Sequence, residues 1–177
     1  MRLVAFALLL LLSACHPRAG GERPDDAASR AWHRQLWAGL KPLAQSRGID
    51  PGFVYALAKM ESGFDPHARR GEARGLLQIK PRAWKAASPL PYEPAVWDWR
   101  TNLSVGVESL ASLKSELERR GVFSYGLLWA AHHYGLEYVE QHHFELGRIP
   151  RPSDPVALRL LAGDPHPVAP PEEEPRP

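Results

Sequence analysis

The segment Asp50-Pro51-Gly52-Phe53-Val54-Tyr55-Ala56-Leu57-Ala58-Lys59-Met60-Glu61-Ser62, followed by Gly63-Phe64-Asp65-Pro66, decides how the chain is read. Asp50 is placed to cap a helix, and Pro51 suits its first position. Val54, Leu57 and Ala58 form an apolar stripe, which Glu61 continues at helical spacing. A carboxyl group on a buried face loses solvation, which favours its neutral form. Such a group serves as a general acid at neutral pH. Gly63 and Pro66 break the helix behind it, so the carboxyl is expected at the mouth of a loop. Periodicity alone leaves a second reading open, a helix-end glutamate whose stripe continues by coincidence.

Further along stand Ala73-Arg74-Gly75-Leu76-Leu77-Gln78-Ile79-Lys80-Pro81 and Ala131-His132-His133-Tyr134-Gly135. Glu61-Ser62 with Gly75-Leu76-Leu77-Gln78 resembles the signature of the lysozyme-like lytic transglycosylases, the soluble-transglycosylase (SLT) catalytic domain. Asn102-Leu103, Gly106 and Leu110 resemble a further helix of that family, so the likeness spans about residues 48 to 141. Leu77 stands where the family usually has Met, a volume-conserving exchange. His132 and His133 replace a Tyr and an Asn that lie beside the acid and the sugar in the family. Arg69 stands where a Ser is common, and Glu72 where a Gly is common.

The resemblance implies a mainly α, lysozyme-like (goose-type/SLT) domain with little or no β. It implies cleavage of the β-1,4 bond between N-acetylmuramic acid and N-acetylglucosamine in peptidoglycan. Glu61 would protonate the glycosidic oxygen and then, as a carboxylate, deprotonate the muramic 6-hydroxyl, leaving a 1,6-anhydro sugar. No cofactor or metal is implied. One acid suffices in this chemistry, whereas most glycosidases need two. Asp65, Glu72 and Asp98 are the nearby candidates for a second, and each sits in a polar loop.

The ends differ from the middle. Met1-Arg2, an apolar run from Leu3 to Leu12 and Ser13-Ala14-Cys15 read as a secretory signal too short to span a bilayer. Leu12-Ser13-Ala14-Cys15 also resembles a bacterial lipobox, which makes Cys15 the lipidation site and membrane anchor. His16 after the cysteine resembles an outer-membrane address, in a protein facing the periplasm. Cys15 is the single cysteine, so no intramolecular disulfide forms. The expected organisation is a signal peptide over 1–14, a flexible tether over 15–26, the SLT domain over 27–149, and a Pro-rich, largely disordered tail over 150–177. Half of the chain's 18 prolines fall in that tail, where Asp154 to Leu161 can form a short helix capped by Ser153.

Within the domain, apolar spacing predicts helices over 27–47 (Trp32, Leu36, Leu40, Leu43), 50–62, 81–84, 101–120 (Leu103, Val107, Leu110, Leu113, Leu117) and 123–142. Pro89, Pro91 and Pro94 mark an extended connector. Candidate substrate contacts are Ser62, Gln78, His132, His133 and Tyr134. Ser62 also reads as a helix-end hydroxyl, Gln78 as a backbone anchor and Tyr134 as core. Trp84 and Trp97 are candidate sugar platforms, with core packing the safer reading of either. The two histidine doublets lack the spacing of ligands on one helix face, so hydrogen bonding near Glu61 is preferred to a metal. Residues 63–85 carry six cations against Asp65 and Glu72, which suits an anionic polymer. The formal net charge of +2, the export signal and the lack of a nucleic-acid motif argue against nucleic acid. The alternatives to a transglycosylase are a hydrolytic muramidase on the same fold and a catalytically weak, peptidoglycan-binding envelope lipoprotein.

Overall fold

A computed structural model describes residues 24–171, with side chains from residue 27. The expected signal peptide, Cys15 and all but the last three residues of the tether lie outside the described residues. Helix α1 (Pro24–Ser46) begins inside the span expected to be tether. It buries Leu36, Leu40 and Ala44, while Trp32 and Leu43 are half-buried.

Helix α2 (Pro51–Ser62) follows the predicted bounds. Asp50 Oδ1 accepts from the amides of Gly52 and Phe53 at 2.7 and 3.4 Å, and Gly63 closes the helix in the left-handed region. Its burial is wider than a stripe, since every residue from Gly52 to Ala58 is buried. An element covered all round is central, and α1 and the C-terminal helix α8 (Pro155–Leu161) pack against it.

After α2 come two-residue strands, β1 (Arg69–Arg70) and β2 (Ala73–Arg74), paired antiparallel as a small hairpin. Short helices α3 (Pro81–Ala87) and α4 (Tyr92–Ala95) lead into α5 (Trp99–Arg119). The proline connector thus contains one helical turn. Asp98 caps α5 by accepting from the Thr101 amide at 2.8 Å. Leu103, Val107, Leu110 and Leu117 are buried as their spacing predicts, and Leu113 is half-buried.

Two expectations are corrected here. The predicted helix over 123–142 is two helices, α6 (Tyr125–Tyr134) and α7 (Leu136–Gln141). The break falls at Gly135, whose φ of 99° and ψ of 147° lie outside the range of other residues. Residues 150–171 are part of the fold rather than a disordered appendage. Ala157 and Leu160 of α8 are buried in the common core, and α8 packs on α6 and α2. Asp154, not Ser153, caps α8, accepting from the Ala157 amide at 2.9 Å. Proline lowers the average apolarity of this segment, but three apolar residues at helical spacing suffice to seat one short helix.

No helix among the described residues is long and apolar enough to cross a membrane. The architecture is mainly α, with one vestigial hairpin.

Candidate active site

Glu61 lies in the last turn of α2 and is 5% exposed. The loop that follows is tied down from three directions. Trp32 of α1 donates its indole N–H to the Phe64 carbonyl at 2.9 Å. Gln78 donates its amide to the carbonyls of Ala68 and Gly75 at 3.0 and 2.8 Å. Tyr92 donates its hydroxyl to the Ile79 carbonyl at 2.8 Å and approaches the Glu72 carbonyl at 2.9 Å.

Asn102 of α5 anchors the turn at Gly75–Gln78. Fully buried, it accepts from the Leu77 amide and donates to the carbonyls of Arg74 and Val96, each at 3.1 Å. Gly75 makes this approach feasible. Its φ is 77°, and a Cβ there would stand 2.2 Å from the Asn102 amide nitrogen. Gly75 therefore serves packing.

The Glu61 carboxyl faces a cavity of about 1060 Å³, walled by the hairpin, α3, α5 and the α6–α7 junction. His133 Nδ1 lies 3.1 Å from Oε1, Arg70 Nη1 donates to Oε2 at 3.4 Å, and Arg70 Nη2 donates to the Glu61 carbonyl at 3.2 Å. His133 is held in place by stacking on Trp129, with centroids 5.2 Å apart and planes 11° apart. His132 stands deep among packed atoms beside the Leu77 backbone, with part of its surface still open.

These neighbours reverse one expectation. Burial pushes the Glu61 carboxyl upward, but the His133 hydrogen bond and the electrostatic influence of His132, His133 and Arg70 outweigh it, leaving the pKa below the usual carboxylate value. The free protein therefore holds Glu61 as a carboxylate at neutral pH rather than as the neutral acid that burial alone predicts. Burial lowers the His132 pKa, partly countered by Glu61, so this ring is neutral at pH 7. Arg70 and His133 are then the effective partners of the carboxylate.

Gln78, His132, His133 and Tyr134 all line the cavity with Glu61. Gln78 Oε1 is buried without a partner among the described residues, an acceptor at the cavity wall. Tyr134 stacks on Tyr138 at 5.1 Å and stands edge-on to His133 at 4.7 Å. Ser62 is outside the lining; its hydroxyl donates to the Ala58 carbonyl at 2.9 Å, the helix-end arrangement. Trp84 is 1% exposed and donates to the Leu90 carbonyl, so it is core and not a sugar platform. Trp97 is half-buried under the Arg69 guanidinium, 4.4 Å from its ring, and is also outside the lining.

Asp65, Glu72 and Asp98 are exposed and do not line the cavity. The acids that do, besides Glu61, are Glu116 and Glu137. Glu116 is engaged by Arg119 and Arg120. Sequence reading missed both, along with Arg70 as a partner of Glu61. Arg70 sits nine residues from Glu61, and only the hairpin turns it back. Among the described residues, no cluster of three or more His, Cys, Asp or Glu side chains is arranged to hold a metal.

The profile of the "Transglycosylase SLT domain" family matches residues 41–143, more than half of the chain. No curated protein matches the sequence. Among solved structures, an inactive mutant of the lytic transglycosylase Slt from Pseudomonas aeruginosa shares the fold, with a TM-score of 0.54 and 24% identity over 70% of this chain. The present chain spans 20% of the length of that protein. The chain belongs to the transglycosylase SLT domain family.

Proposed function

We propose that this protein is a peptidoglycan lytic transglycosylase, with Glu61 as the acid and then the base. The observation that carries the reading is a carboxyl group, the one buried acid among the described residues, at the wall of a large cavity and hydrogen-bonded to an imidazole at 3.1 Å. In the first step Glu61 protonates the oxygen of the bond between N-acetylmuramic acid and N-acetylglucosamine. The bond from the muramic anomeric carbon to that oxygen breaks. In the second step the muramic 6-hydroxyl bonds to the anomeric carbon, and its proton passes to Glu61. The acid leaves the cycle as it entered, and the product is a 1,6-anhydro sugar.

His133 supports both steps. Its Nδ1 can hold the shared proton beside Glu61 before the first transfer and stabilise the carboxylate after it. Gln78 Oε1, unpartnered at the wall, suits an N–H donor such as an acetamido group. Tyr134 and His132 complete the near wall of the cavity. Catalysis in this reading uses no cofactor or metal. The same reading places the enzyme in the cell envelope, and anchoring by a lipidated Cys15 facing the periplasm, at the outer membrane, follows from the sequence of residues 1–16 alone.

The test is mass spectrometry of soluble products after incubating the full chain with peptidoglycan, beside Glu61→Gln. Anhydro-muropeptides from the wild type, with at least about 100-fold loss in the variant, are expected for removal of a general acid. Equal lysis by the variant would overturn the assignment. Reducing-end products would instead indicate hydrolysis and direct attention to Glu116 and Glu137 as the base. Binding to sacculi without products from either protein would favour the non-enzymatic alternative.

A further inference from the structure

Two groups hold the Glu61 carboxyl, and they differ in how firmly they are held themselves. His133 is seated against Trp129 and edge-on to Tyr134, with 32% of its side chain exposed. Arg70 has 62% of its side chain exposed, on a two-residue strand at the surface. Its bond to Oε2 is 3.4 Å, at the long end for a charge-assisted contact. A partner that is exposed, long-stemmed and loosely engaged is the one an incoming anion can take away.

The surroundings supply a reason for an anion to arrive. Lys80 and Arg82 line the same cavity, and neither has an acidic partner among the described residues. The charged and titratable groups facing Glu61 are Arg70 from the hairpin and His132 and His133 from α6. Lys80, at the start of α3, acts on His132 rather than on Glu61 directly. Arg70 is therefore the one permanent charge on the carboxyl. While it stays, it adds to the stabilisation of the charged form of Glu61 that the histidines begin.

We propose that Arg70 is a specificity-determining residue: it leaves the Glu61 carboxylate to bind a carboxylate of the substrate's peptide stem. The proposal rests on the peptidoglycan reading given above. A charged stem then relieves Glu61 of one stabilising charge, so that glycan bearing stem carboxylates is cut in preference to bare or amidated glycan. No bond forms or breaks in the exchange. One ion pair replaces another.

The experiment is a titration of the Glu61 carboxyl by carbon NMR in the full chain with labelled glutamate, the resonance being assigned by Glu61→Gln. It is run alone, with a muramyl peptide carrying free carboxylates, and with the same fragment amidated. In the wild type, the anionic fragment is expected to move the Glu61 midpoint upward and the amidated one to leave it in place. Arg70→Gln is expected to start with a raised midpoint and show no further response. Arg70→Lys, which keeps the charge, should restore part of the response, and thermal melts of both variants check that the exposed site leaves folding intact. Binding of the anionic fragment with no shift in the wild type overturns the proposal alone. Failure of both fragments to bind overturns it together with the peptidoglycan reading, which the product analysis tests separately.

Discussion

The Nδ1 atom of His133 lies 3.1 Å from Oε1 of Glu61, joining residues separated by 72 positions. The contact helps hold the only buried acid among the described residues in its charged form. Burial pushes the Glu61 pKa up, and His133 is the first of the groups that pull it down, ahead of His132 and Arg70.

The first prediction follows from that balance. His133→Phe preserves a ring to stack on Trp129 and removes the hydrogen bond. The Glu61 pKa should rise, so the alkaline limb of the pH profile of kcat/KM should move to higher pH, while the rate at the optimum falls for want of the shared proton. Stability carries a matching signature. A carboxyl whose folded pKa is lowered stabilises the fold at pH above its ordinary value near 4.5, and that contribution is lost as pH falls through the lower folded value. The acid-side loss of thermal stability should therefore be shallower in His133→Phe than in the wild type. Coincident activity profiles for the two proteins would refute the role given to His133.

The helix that presents Glu61 was legible from sequence because its signals are local. Asp50, Pro51 and Gly63 set its ends, and the apolar run fixed its burial. The state of the carboxyl was not legible, because it depends on a hairpin and on a second helix that only the tertiary fold brings near. The same division explains the other differences. Apolar spacing predicts one helix over 123–142, yet the conformation of Gly135 ends α6. Core packing is the safer reading of Trp84 from sequence, and Tyr92 packs edge-on against it at 5.7 Å and helps enclose it. The helix over 154–161 was legible, but average composition concealed its place in the core, because Val156, Ala157 and Leu160 are few among many prolines.

The second prediction concerns the turn that carries Gln78. Asn102→Leu keeps the approximate volume but takes this partner from the Leu77 amide and the Val96 carbonyl, while the Arg74 carbonyl keeps the Ile79 amide. Each unsatisfied buried group costs about 1–3 kcal/mol, so a loss of several kcal/mol is expected. Urea unfolding should show a lower midpoint with an unchanged slope. Because Asn102 does not line the cavity, activity measured well below the unfolding transition should fall only as far as the Gly75–Gln78 turn shifts. A midpoint within experimental error of the wild type would show that the three contacts contribute nothing net.

The last prediction separates a structural C-terminal segment from an appended one. Leu160 is fully buried, and α8 packs against both α6, which carries His133, and α2, which carries Glu61. Beyond α8, His166 Nε2 lies 2.8 Å from Asp50 Oδ1, the same oxygen that caps α2. The segment therefore reaches the start of the helix whose other end presents the acid. Leu160→Ala should cost about 2–5 kcal/mol, the usual range for emptying a packed leucine site. His166→Ala removes one half-exposed contact and should cost under about 1 kcal/mol. Chemical denaturation of the two variants checks both figures. If Leu160→Ala unfolds at the wild-type midpoint, α8 is dispensable and the domain ends near residue 150. If it unfolds early, any attempt to produce the catalytic domain without residues 150–171 should yield a destabilised protein whose Glu61 helix has lost its covering.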